Sequence, residues 1–104
     1  MPRVTLDLWL WLGDTPPAPF QPVTPMRSVR QLELPAGTTV SGLLEAATRE
    51  TPELRVHVVP GDRWRLAPEL SATLNDCVMA ERELYGTVLS DGDRLVVFRR
   101  YVGG

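Results

Sequence analysis

Residues 4–12 of the chain alternate without interruption. Val4, Leu6, Leu8, Leu10 and Leu12 take the even positions, and Thr5, Asp7, Trp9 and Trp11 the odd ones. A period of two indicates a strand with two unlike faces. The aliphatic face has to be buried, so the chain must supply a layer to cover it. The other face carries two tryptophans, an unusual choice for a surface left to water.

A change of period supplies the covering layer. Val40, Leu43, Leu44 and Ala47 follow the i, i+3, i+4, i+7 spacing of one helix face. Thr39 is placed to N-cap this helix and Pro52 limits its far end. Gly42, in the first turn, costs about 1 kcal/mol relative to alanine and points to close packing of helix on sheet.

Between strand and helix, residues 13–26 form a proline-rich stretch that reads as a loop inserted between two paired strands. The second of those strands is "RSVRQLELP", with Leu32 and Leu34 facing inward. Beyond the helix, "LRVHVVPGDRWRL" reads as a short hairpin around Pro60 to Asp62. "ELSATLND" reads as a strand that Asn75-Asp76 turns, and "CVMAE" as a short edge strand. "RLVVFRRYV" is the last strand, preceded by an Asp91-Gly92-Asp93 turn. Mixed strands with one main helix on one face make an α+β domain. At 104 residues the chain fits a single domain, 1–104, with a core that needs no covalent staple.

Composition narrows the function classes. A formal net charge of −2 argues against a general nucleic-acid binder. The apolar N-terminal stretch is too short to span a bilayer and lacks a signal-peptide cleavage pattern, so no membrane partner and a cytoplasmic location are expected. Cys77 is the only cysteine, which excludes an internal disulfide, and it reads as a half-buried structural thiol. His57, the only histidine, reads as a surface strand residue. One His and one Cys cannot build a zinc site of the usual kind, and no phosphate-binding glycine loop is present, so neither a metal nor a bound cofactor is expected. All 11 basic residues are arginine.

The sequence ends "DGDRLVVFRRYVGG". In its last strand Leu95 and Val97 share one face, while Val96, Phe98 and Arg100 share the other. The stretches "LPAGTTVSGLLEAA", "LND" and "LSDGDRLVVFRRYVGG", in the order hairpin, helix, strands, Gly-Gly, resemble the MoaD/ThiS sulfur-carrier family of the ubiquitin-like β-grasp fold. The likeness covers most of the chain outside residues 13–26 and 51–69. It departs from the molybdopterin branch at Arg99 to Val102, where that branch often has Pro-Pro and small residues. Arginines there look more like ubiquitin.

The resemblance implies that the first and last strands lie side by side, parallel, in mid-sheet, and that residues 99–104 project as a flexible Gly-Gly tail. It also implies that an ATP-dependent, ubiquitin-activating-type adenylyltransferase adenylates the Gly104 carboxylate. Sulfur transfer then makes a thiocarboxylate, which a synthase large subunit accepts in molybdopterin, thiamin or related biosynthesis. The chain would be a carrier or small subunit and not itself an enzyme, and ATP would be used by its partner. Gly103 and Gly104, lacking Cβ atoms, suit a narrow partner channel. From Arg99 an extended tail reaches roughly 20 Å.

With first and last strands adjacent, Trp9, Trp11, Val96 and Phe98 would share one outward face. An exposed aromatic cluster beside a reactive tail fits a partner-docking patch. Arg99, Arg100 and Tyr101 would adjoin it, the arginines either pairing with acidic partner residues or keeping the strand end soluble. Equally open from sequence is that the loop at 14–26 folds back over the tryptophans. Two other functions remain open at this stage. One is a ubiquitin-like modifier joined through Gly104 to target lysines. The other is a β-grasp binding module that is never activated.

Overall fold

The computed structural model describes residues 1–13, 15–61 and 63–100. Its elements are β1 (Arg3–Trp9), β2 (Gln21–Thr24), β3 (Arg27–Glu33), α1 (Val40–Glu50), α2 (Leu54–His57), β4 (Leu70–Leu74), α3 (Glu81–Leu84) and β5 (Arg94–Arg99). The strands form one mixed sheet in the order β2-β3-β1-β5-β4. β1 and β5 are parallel at its centre, in register from Thr5 opposite Arg94 to Trp9 opposite Phe98. The other pairings are antiparallel. This is the α+β architecture the alternating strand and the single amphipathic helix require.

The aliphatic face of β1 carries the core. Val4, Leu6 and Leu8 are buried against Leu43, Leu44 and Ala47 of α1, and Leu95 and Val97 of β5 join them. Each fully buried leucine contributes about 1.5–3 kcal/mol by leaving water. Leu10 and Leu12 lie beyond the end of β1 and are still buried. Thr39 caps α1, its hydroxyl accepting from the Gly42 amide at 3.2 Å. Gly42 does not serve close packing on the sheet. A Cβ there would meet the Thr38 methyl at 2.9 Å, so the tight approach is to the preceding turn.

The turn before β5 sets the parallel register. Gly92 has φ +88°. Asp91 accepts from the Arg3 amide at 2.8 Å, and the Gly92 amide donates to the Arg3 carbonyl at 2.8 Å. The turn is thus tied to the first residue of β1.

Several local expectations fail. The proline-rich stretch is not all loop: Gln21–Thr24 forms β2, an exposed edge strand on β3. Pro22 within it and Pro25 after it lack amide donors, which suits an unpaired edge. Among the described residues of 54–66 there is no hairpin, and Leu54–His57 is a helical turn. Leu54 and Val58, four apart and both 1% exposed, show why alternation in a short run misleads. His57 is therefore exposed on a helix, not on a strand. "CVMAE" is not a strand either. Asn75 and Asp76, both at positive φ, reverse the chain so that Cys77 makes only an isolated bridge to Leu74. Cys77 is exposed, not half-buried. No helix among the described residues is long and apolar enough to cross a membrane.

Candidate functional site

The sheet face away from α1 is built from the odd positions of β1, and register fixes who neighbours whom. At the end where β5 finishes, Trp9 lies opposite Phe98, and Phe98 lies opposite Ser71 of β4. One step back, Asp7 sits between Val29 of β3 and Val96 of β5. Trp9 and Trp11 are 48% and 51% exposed, so the segment at 15–26 does not cover them. Phe98 and Val96 are half-buried, and Arg99 and Arg100 are exposed. Trp9, Phe98 and Val96 thus come together as the period-two reading expects, with Trp11 beyond the end of β1. Arg99 is still part of β5, opposite Leu70, so the strand runs one residue into the expected tail. The Arg100 amide donates to the Glu69 carbonyl at 2.7 Å. Tyr101, Gly103 and Gly104 lie outside the described residues.

Sequence reasoning missed the polar centre of this face. The Asp7 side chain is fully buried although no helix covers it. Arg27 of β3 grips it with two hydrogen bonds, Nε to Oδ1 at 3.0 Å and Nη2 to Oδ2 at 2.9 Å. Arg94 of β5 donates to the same Oδ2 from the other side. Burial pushes the Asp7 carboxyl up. The hydrogen bonds and charges of Arg27 and Arg94 outweigh that, and the group sits below its ordinary value. The hydrogen bond to Asp7 in turn raises Arg27. Arg27 also lies over the Trp9 ring, 4.6 Å from its centroid, within cation–π range. The available signal was Asp7 itself, a poor strand former at the centre of the most regular strand.

Guanidinium groups and aromatic rings bind, but they do not exchange protons near neutral pH. Among the described residues no group of three His, Cys, Asp or Glu side chains could hold a metal ion.

No family model matches the sequence, and no curated protein matches it. Two crystal structures of small archaeal modifier protein 1 (SAMP1) from Haloferax volcanii do. One is 22% identical with a TM-score of 0.66, covering 98% of this chain and 99% of that chain. The other is 21% identical with a TM-score of 0.68, covering 97% and 100%. At these identities the likeness is one of fold, and the fold is the ubiquitin-like β-grasp.

Proposed function

We propose that the chain is a sulfur carrier of the MoaD/ThiS kind, whose reactive group is the Gly104 carboxylate. The observation that carries this reading is the central parallel β1–β5 pair. It ends at an exposed aromatic and basic face, and Gly103-Gly104 follow Arg100 with Tyr101 and Val102 between. A carboxylate is a poor electrophile. Reaction with ATP in an activating enzyme gives an acyl-adenylate and pyrophosphate. Hydrosulfide from the sulfur donor then displaces AMP, the acyl C–S bond forming as the C–O bond to AMP breaks, to leave the thiocarboxylate. Four residues beyond Arg100 span at most about 13 Å, enough to enter a partner's cleft while the sheet docks outside it. Trp9, Trp11, Val96 and Phe98 form the docking patch, with Arg99, Arg100 and Tyr101 beside it. The partners are an adenylyltransferase and a sulfur-accepting synthase subunit of the molybdopterin type.

A second reading is a protein modifier joined through Gly104 to lysines, and the name of the structurally similar small archaeal modifier protein favours it. Intact mass separates the two after incubation with the activating enzyme of the same genome, ATP and a sulfur donor. A sulfur-for-oxygen mass gain supports the carrier. High-mass adducts on other proteins, without that gain, support the modifier. Neither product, with the enzyme shown to be active, overturns both.

A further inference from the structure

We propose that Arg27, stacked on Trp9 and held there by Asp7, is the carboxylate-reading point of the docking face, and that the partner this face takes is an acidic protein surface. The inference rests on the reading of that face as a docking patch and adds the chemistry of its partner.

The buried Asp7 carboxylate is shared by two guanidinium groups, which leaves one positive charge in excess on the middle of the face. Arg99 falls on the other face, with Leu95 and Val97, and Arg100 lines a cleft with Glu81 and Tyr85, so the excess is that of the Asp7 cluster alone. Arg27 uses its Nε and one Nη2 hydrogen on Asp7. The Nη1 hydrogens and the second Nη2 hydrogen remain on the opposite edge, the geometry a second carboxylate takes in a bidentate pair. The indole beneath supplies apolar area, and Asp7 fixes the guanidinium plane, so little side-chain freedom is left to lose on binding.

A buried ion pair is weak support for stability compared with packed apolar side chains. Val29 and Val96, on either side of Asp7, show that this face accepts aliphatic residues. A carboxylate in that place is better explained by what it holds.

The molecule contains a contrasting stack. Trp64 has Arg55 at 4.7 Å and Arg49 at 5.6 Å from its ring. There Arg49 is paired with Glu45 at 3.1 Å, and Trp64 packs against the core. That stack closes over the core, whereas Trp9 stands 48% exposed under a guanidinium whose counter-charge is shared.

The test is an NMR titration of the full ¹⁵N-labelled chain with a hexaglutamate peptide at low salt, reading the tryptophan indole N–H and arginine Nε–H signals. The expected result is a saturable shift at Trp9 and Arg27 with none at Trp64, weakening as salt is added. Arg27→Met should weaken binding tenfold or more. Asp7→Asn should weaken it while the Trp64 indole N–H signal stays in place, which shows that the loss is not one of fold. Arg49→Met should change nothing. Equal binding by Arg27→Met, a shift centred on Trp64, or no saturable shift anywhere overturns the proposal. The titration needs no activating enzyme, so failure to form a thiocarboxylate would count against the carrier reading and leave this result standing by itself.

Discussion

Where β5 begins, polar side chains close on their own chain. Asp93 accepts from the Ser90 amide at 2.7 Å and from the Asn75 side chain at 2.8 Å, and Asn75 accepts from the Arg94 amide at 2.9 Å. Where β5 ends, Trp9 and Trp11 stand about half exposed, and Arg99 and Arg100 make no ion pair among the described residues. The same two strands supply both ends. At the first, hydrogen bonds tie the turn before β5 to the turn after β4. At the second, apolar area is left in water, which does nothing for a folded monomer and is what a partner interface requires. On the proposed reading, stability and recognition are therefore separated along one pair of strands. A substitution at one end should move one observable and leave the other still.

The largest effect tests the second end. Deleting Gly103 and Gly104 should abolish thiocarboxylate formation, read by intact mass, with the thermal midpoint unchanged. Retained function in the truncated chain would leave a binding module as the better reading. Next, Trp9→Ala and Trp11→Ala should each raise the KM of the activating enzyme for this protein about tenfold or more, as an aromatic anchor does. Their unfolding free energies should stay within about 0.5 kcal/mol of the parent. A fall of several kcal/mol would mean that the tryptophans belong to the core and that the two ends are not separate.

The outward placement of Trp9, Val96 and Phe98 was legible in the sequence because β1 and β5 are regular, and period two assigns each side chain a face. The covering helix was legible for the same reason: its stripe, cap and proline stop agree. Legibility failed where runs were short. "LRVHVV" satisfies a strand pattern and a helical turn equally, and only the packing of Leu54 and Val58 decides between them. β2 was hidden by its prolines, which an edge strand tolerates. The Asp7 cluster was hidden for a different reason. Its members are 20 and 87 positions from Asp7 in sequence, and nothing local marks Arg27 or Arg94 as its partners.

The turn end gives the next effect. Asp93→Ala removes the acceptor of the Ser90 amide and of the Asn75 side chain, and should cost about 1–2 kcal/mol in denaturant unfolding. The KM for the activating enzyme should not change. A change in KM without a loss of stability would reverse the assignment of the two ends.

Asp7 lies between the ends and offers the smallest and most discriminating test. Burial pushes its carboxyl up, but the hydrogen bonds and charges of Arg27 and Arg94 together outweigh this and hold it below its ordinary value in the folded state. A depressed folded value means that the stabilisation is complete above the unfolded value of about 4 and disappears as pH falls through the folded one. Asn at this position keeps the shape but has no charge to titrate. Asp7→Asn should therefore cost about 1 kcal/mol at neutral pH, because Arg27 and Arg94, which lose the carboxylate, are partly exposed and regain water. The gap between parent and variant should close as the pH is lowered below about 4. Urea unfolding of both proteins across that range measures it. A gap that stays constant with pH would mean that Asp7 stabilises by packing and not by charge. Its grip on Arg27 would then be incidental, and the link between the middle of the sheet and the docking end would be lost.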